Sequence, residues 1–176
     1  MPPTNVTIKY LEMNTPGELR PKRASVSGVT VTRVPQPMPE LNQFFYAAVG
    51  REYFWTDRLS WPLERWREYV ARPDIDTYVL AVDGIPAGYF ELLRHDNGDV
   101  EIKYFGLIDA YIGKGLGAHM LTAAVEAGWG AGAKRVILDT CSLDHPKAFD
   151  HYVARGFKHF RTDVVNKEVP NREKAR

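Results

Sequence analysis

Apolar and polar positions along this 176-residue chain change period several times, and each change marks an element. Val6 to Met13 is a strand-like run, followed by a turn-rich stretch through Pro16, Gly17 and Pro21. Val29 to Val34 alternates β-branched residues and closes on Pro35 and Pro37, which predicts a strand and then a loop. Glu40 to Val49 and Pro62 to Ala71 read as two short helices, the second with Ser60 ahead of it as a cap and Pro62 in its first turn. Thr77 to Val82 meets Asp83-Gly84, a strong hairpin signal, and Pro86 to Leu93 is the expected return strand. A second turn at Asp96-Asn-Gly-Asp99 leads into Val100 to Ile108 and completes a meander.

Beyond Gly115 the period becomes helical. Leu116, Met120, Ala124 and Val125 recur on one face of an Ala-rich segment that ends among Gly128, Gly130 and Gly132. Arg135 to Leu138 is a continuous apolar run, expected as a buried strand parallel to its neighbour. Pro146 to Arg155 is a last helix stopped by Gly156, and a final strand starts at Phe157. The order predicts a mixed α/β fold, a mostly antiparallel sheet with flanking helices. Residues 1–25 read as an N-terminal extension packed on the domain, 26–165 as a single domain and 166–176 as a charged tail.

Composition narrows the function. Lys plus Arg (23) nearly balance Asp plus Glu (22), so no basic surface advertises a nucleic acid or an acidic membrane as partner. The lone Cys141 excludes an internal disulfide, and with no membrane-length apolar run and no secretory signal the expected location is cytoplasmic. Cys141 with His145 four residues on resembles a nucleophile and its base, but a lone buried thiol is the simpler reading. His145 and His151 are six apart, off a common helix face, so no metal is expected.

Candidate chemistry centres on Gly113-Lys-Gly-Leu-Gly-Ala118, between a strand and a helix. Glycines let a backbone approach a phosphate, and the free N–H groups of a helix start favour an anion. One reading is G-x-G-x-x-A of a dinucleotide-dependent oxidoreductase, with Asp139 on a ribose. That fingerprint normally opens a long parallel sheet, whereas hairpins precede this one. There is no Walker-type Gly-Lys-Ser/Thr.

The segment Ile112 to Leu121 resembles the Arg/Gln-x-x-Gly-x-Gly/Ala signature of the GNAT superfamily of acyl-CoA-dependent N-acyltransferases, matching at Gly115 and Gly117. A second element of that superfamily, Asn-x-x-Ala-x-x-x-Tyr followed by Gly-Phe, is similar to His145-Pro-Lys-Ala148-Phe-Asp-His-Tyr152 with Gly156-Phe157. The resemblance covers roughly Thr77 to Phe160. It implies an acyl-CoA N-acyltransferase fold, acetyl-CoA as co-substrate, and direct transfer of the acetyl group to a primary amine of a small molecule, amino acid or peptide. A non-catalytic acyl-CoA-binding module is the other alternative. A homodimer through the terminal strands is compatible with the resemblance.

The resemblance also assigns roles. Backbone N–H groups from Gly113 through Lys114, Gly115 and Gly117 to Ala118 would cradle the pyrophosphate, and backbone around Phe105 and Leu107 would pair with the pantetheine arm. Ile112 stands where Arg or Gln is usual, and His145 replaces Asn. Tyr152 would protonate the departing thiolate. Glu101 aligns with the glutamate that is general base in the histone-acetylating branch, while pairing with Lys103 is its structural alternative. Strict period two along this strand puts Glu101, Lys103, Phe105 and Leu107 on one face, and Ile102 and Tyr104 on the other. Aromatic residues crowd positions 44–66. Tyr53, Trp55 and Asp57 are the expected acceptor-binding residues there, whereas Trp66 is expected in the core.

Overall fold

A computed structural model describes residues 4–168. Seven strands form one sheet in the order β2-β3-β4-β5-β6-β1-β7. The strands are β1 (Thr4–Met13), β2 (Val29–Arg33), β3 (Ile75–Val82), β4 (Ile85–Arg94), β5 (Asp99–Leu107), β6 (Arg135–Cys141) and β7 (Lys158–Lys167). Four helices flank them: α1 (Pro39–Gly50), α2 (Leu63–Val70), α3 (Leu116–Gly130) and α4 (Ala148–Ala154). The expected mixed, mostly antiparallel architecture is present, with β5 and β6 as the parallel pair. At the β3–β4 hairpin Asp83 and Gly84 both take positive φ (50° and 80°), the conformation a tight two-residue turn needs.

The first strand has a larger part than an extension would. β1 lies between β6 and β7, antiparallel to both, with Leu11 opposite Leu138 and Val6 opposite Val165. Its Leu11 and Met13 are fully buried in the main core. β7 runs to Lys167, so the sheet reaches past residue 166, while the tail from residue 169 on lies outside the described residues.

The core is divided by the sheet. On one face α3 and α4 cover the larger apolar cluster, which includes Leu80, Phe90, Ile102, Met120, Val136 and Phe157. The other face carries α1 and α2 over Phe45, Val49 and Tyr89. A buried polar cluster fastens the two helices: Asn42 on α1 donates from Nδ2 to Thr77 Oγ1 (2.9 Å) and Glu91 Oε1 (2.8 Å). Tyr69 on α2 donates its hydroxyl to Glu91 Oε2 at 2.5 Å. Glu91 is fully buried, and that burial raises its pKa. Among the described residues no helix is long and apolar enough to cross a membrane.

Candidate active site

The site begins where two parallel strands part. β5 and β6 pair only over Asp99–Arg135, Val100–Val136 and Glu101–Ile137. At the closed end Arg135 bridges Asp99 (2.6 Å) and Glu12 (2.7 Å), tying β5, β6 and β1 together and holding the Asp99 carboxyl below its usual pKa. Beyond Glu101 the β5 edge facing β6 has no strand partner, so its backbone groups are open to a ligand. A cavity of about 750 Å³ occupies the gap, a volume suited to a cofactor-sized molecule.

A bulge overturns strict period two along β5. Tyr104 sits at φ +48°, and the β4–β5 register shifts between Tyr89 and Glu91. One extra residue in the strand reverses which face the later side chains take. Lys103, opposite Glu91, stays on the α1–α2 side, and Tyr104 joins it there against Tyr46 and Trp55 (5.4 Å to each ring). Phe105 and Leu107 instead pack with the main core, Phe105 against Tyr152 at 6.2 Å. The expected common face of Glu101, Lys103, Phe105 and Leu107 is therefore broken. The bulge lets Lys103 and Tyr104 line one wall of the cavity while Phe105 and Leu107 line the other.

The glycine loop forms the second border. Gly113 and Gly115 have φ of +80° and +75°, and a Cβ at either would meet no protein atom within 4 Å. Both are open toward solvent, as close ligand approach requires. Gly115 is the N-cap of α3 and no side chain caps the helix. The first-turn N–H groups of Leu116, Gly117 and Ala118 are left for an anion. Ile112, Gly113, Gly115, Gly117 and Ala118 line the cavity, whereas Lys114 lies beside the Tyr111 ring at 5.2 Å, away from it. His145 also lines the cavity, but from the turn ahead of α4, with its Nδ1 accepting the Lys147 N–H at 3.1 Å.

Tyr152 closes the inner end. It is 8% exposed, lines the cavity, and its hydroxyl has no hydrogen-bond partner among the described residues. Its ring stands edge-on to Phe105 and to Phe157 (6.3 Å). Burial, reinforced by the Asp144 and Asp139 carboxylates, pushes its pKa up, so the phenol keeps its proton.

Acceptor-side expectations converge on the same cavity. Tyr53, Trp55 and Asp57 all line it, with Tyr46 and Tyr104 beside them. Trp66 is fully buried in the core. Behind this wall the Arg58 guanidinium is stacked on Tyr69 (4.0 Å), Tyr104 (4.2 Å) and Trp61 (4.6 Å), which fixes the aromatic surface.

Glu101 stands apart from the cavity wall. Its carboxylate is bonded to His95 Nε2 at 2.8 Å and lies 3.4 Å from Lys103 Nζ. Three carboxylates do line the cavity, Asp57, Asp139 and Asp144, and of these Asp139 lies on β6 two residues past the last β5–β6 pair. Asp139 opens onto the cleft, yet protein atoms crowd it. That confinement, aided by the Glu101 charge and opposed by Lys103, pushes its pKa up to about 6. Sequence reasoning had placed Asp139 only on a ribose. Asp144 completes the wall as a turn cap, accepting from Thr140 Oγ1 (2.8 Å) and the Cys141 N–H (2.9 Å). Cys141 lines the cavity, and burial raises its thiol pKa, so it is no ready nucleophile. Among the described residues no group of three His, Cys, Asp or Glu is placed to hold a metal ion.

Comparison with known proteins fits this geometry. Solved structures of similar fold include a GCN5-related N-acetyltransferase from Sphaerobacter thermophilus, at TM-score 0.69 and 16% identity, covering 96% of this chain and 52% of that one. Another from Kribbella flavida has TM-score 0.62 and 22% identity, with coverage of 93% and 58%. The chain thus spans less than two thirds of the length of either. An aminoglycoside acetyltransferase from an uncultured soil metagenomic sample has TM-score 0.60 and 16% identity, with coverage of 81% and 98%. At such identities the likeness establishes the fold. Among curated proteins none matches the sequence. The model of the Acetyltransferase (GNAT) family matches residues 38–157, more than half of the chain and the stretch that contains the glycine loop and Tyr152; the chain belongs to that family.

Proposed function

We propose that this protein is an N-acetyltransferase that takes the acetyl group of acetyl-CoA and delivers it to a primary amine in a ternary complex. The observation that carries the reading is the gap between β5 and β6, which has a free strand edge on one side, an uncapped helix start at its mouth and a protonated tyrosine within. These features fit an acyl-CoA. The glycine-loop N–H groups face an anion, and the unpaired β5 edge between Ile102 and Leu107 can bond an amide-bearing arm as another strand would. Acetyl-CoA supplies the activated thioester.

The rest falls to this chain's own residues. An alkylammonium acceptor, with a pKa of roughly 10, must lose a proton before its nitrogen can attack. The Asp139 carboxylate accepts that proton, and the Glu101 charge beside it helps set its basicity. As the new N–C bond forms and the C–S bond breaks, Tyr152 gives its phenolic proton to the departing thiolate. The second proton, shed by the acylated nitrogen, restores the phenol through solvent, so that the one net proton is the one Asp139 took and later releases to water. Tyr53, Trp55 and Tyr104, backed by the buried Tyr46, contribute aromatic surface and Asp57 a carboxylate, a combination that suits a cationic small molecule or peptide amine. Cytoplasmic operation is part of the proposal, since acetyl-CoA is a cytoplasmic metabolite.

Thermal-shift titration with CoA, acetyl-CoA, NAD and NADP tests the cofactor. CoA and acetyl-CoA are expected to raise Tm by several degrees at saturating concentration, and the dinucleotides to leave it unchanged. Stabilisation by NAD or NADP without CoA would sink the proposal. Thiol release from acetyl-CoA across a panel of amines, aminosugars and short peptides then separates an enzyme from a binding module.

A further inference from the structure

Four lysines line the cavity, and they are not equally paired. On the acceptor side Lys103 lies 3.4 Å from Glu101 and Lys167 lies 3.5 Å from Asp57. Lys22 and Lys147, the other two, have no carboxylate partner among the described residues. An ammonium that lines a ligand cavity without an internal counter-charge can take one from the ligand.

Lys22 is the unexpected member. It belongs to the connection between β1 and β2, outside residues 38–157 that match the family. That connection is fastened along α3 and α4 by main-chain groups. The Lys22 N–H donates to Oγ1 of the fully buried Thr122 at 3.0 Å, and the Ala24 N–H donates to His119 Nδ1 at 3.1 Å. The Arg20 N–H donates to the Arg155 carbonyl at 2.9 Å. All three bonds spare the Lys22 side chain, which lines the same cavity as Gly115, Gly117 and His151. His151 in turn lies next to Gly117: a Cβ there would be 3.7 Å from the imidazole.

We propose that Lys22 supplies the counter-charge for a phosphate group of CoA, making the β1–β2 connection a working part of the cofactor site. The inference rests on the reading of the cavity as a CoA site. Toward the cavity the glycine loop offers only neutral N–H groups, since its Lys114 lies beside Tyr111, whereas the ligand carries several phosphate charges. Lys22 adds a full positive charge from an element that the family signature does not contain. Because this side chain is exposed, the contribution is moderate and screened by salt.

Isothermal titration of wild type, Lys22→Ala and Lys22→Arg with CoA and with 3′-dephospho-CoA tests it, each at low and at high salt. Lys22→Ala is expected to weaken CoA binding by about five- to tenfold at low salt, and Lys22→Arg by no more than about twofold. The ligand-free Tm should stay put, because the fastening bonds are main-chain bonds. A loss seen with CoA but not with dephospho-CoA assigns Lys22 to the 3′-phosphate, and an equal loss with both assigns it to the diphosphate. Either supports the proposal. Undiminished affinity of Lys22→Ala for CoA overturns it while leaving the cavity assignment intact, whereas a wild type that binds no CoA overturns both.

Discussion

Around Gly115 the cleft presents main-chain N–H groups, whereas from Tyr46 to Asp57 it presents rings and a carboxylate. The first surface depends on φ angles and on the absence of Cβ atoms, so it is encoded in one short run of residues. The second depends on three separate segments meeting: α1, the loop after it, and the bulged middle of β5. A backbone site recognises chemistry that every substrate of a reaction shares, which on the proposed function is a phosphate-bearing carrier. A side-chain site can be rebuilt by substitution, so on the proposed function the acceptor preference would be written in the rings and carboxylates and hardly at all in the glycines.

Tyr152 and Asp139 line the cavity that both surfaces share, and substitutions there are expected to have the largest effects. Tyr152→Phe removes the proposed proton donor and keeps the packing on Phe105 and Phe157, so kcat should fall at least about 100-fold with KM for acetyl-CoA almost unchanged. Full turnover in that variant would show that the thiolate leaves without a protein acid. Asp139→Asn comes next, with a loss of about 30-fold at neutral pH. The pH profile is the sharper readout. A base with a pKa of about 6 makes kcat/KM climb as pH rises through 6, and that limb should vanish in Asp139→Asn. The same shift bears on stability with the opposite sign. Folding raises this carboxyl from its ordinary 3.8, so the ionised form is disfavoured in the native state. The cost is absent below about pH 4, grows between 4 and 6 and is complete above 6. Asp139→Asn should therefore raise Tm at pH 8 and leave it unchanged at pH 3. If activity falls but the acid limb stays where it was, Glu101 or another group holds the proton.

How legible each half was in the sequence follows from the same contrast. Periodicity together with turn and cap signals located the seven strands and four α-helices of the described residues, because most of them bury one face and write that face into their own residues. The glycine loop and Tyr152 were readable for the same reason, as each motif is local in sequence. Tyr53, Trp55 and Asp57 could be singled out because large aromatics sit close together between two helices, though nothing in the sequence showed that Tyr104 would complete the wall. Tyr104 was hidden by the bulge, since a non-glycine residue at φ +48° has no sequence signature and period two then assigns the wrong face. The sequence offers Asp139 only as a ribose ligand for a different reason: its place on the cavity wall depends on where β6 parts from β5, a property of the pairing of two strands separated by all of α3. Strand β1 was underrated likewise. An N-terminal run with no hairpin partner reads as an extension, yet its partners are the last two strands, reached only after the whole chain has folded back.

The smallest expected effect puts the backbone half to the test without disturbing the other. Gly115→Ala places a methyl group on a residue at φ +75°, which costs about 1 kcal/mol of backbone strain, or roughly 2–4 °C in Tm for a chain of this length. No protein atom lies within 4 Å of that methyl, so the fold has nothing to clash with. A ligand phosphate drawn to the first-turn N–H groups has to come close to the same backbone, and affinity for CoA should fall by about tenfold, measured by titration. Acceptor KM should hold, because α1 and the bulged strand are untouched. A variant that loses the few degrees of stability but binds CoA as tightly as wild type would mean that the helix start is not the cradle. The glycines would then serve only to turn the chain from β5 into α3, and the anion would have to be held by side chains, which would erase the distinction between the two halves of the cleft.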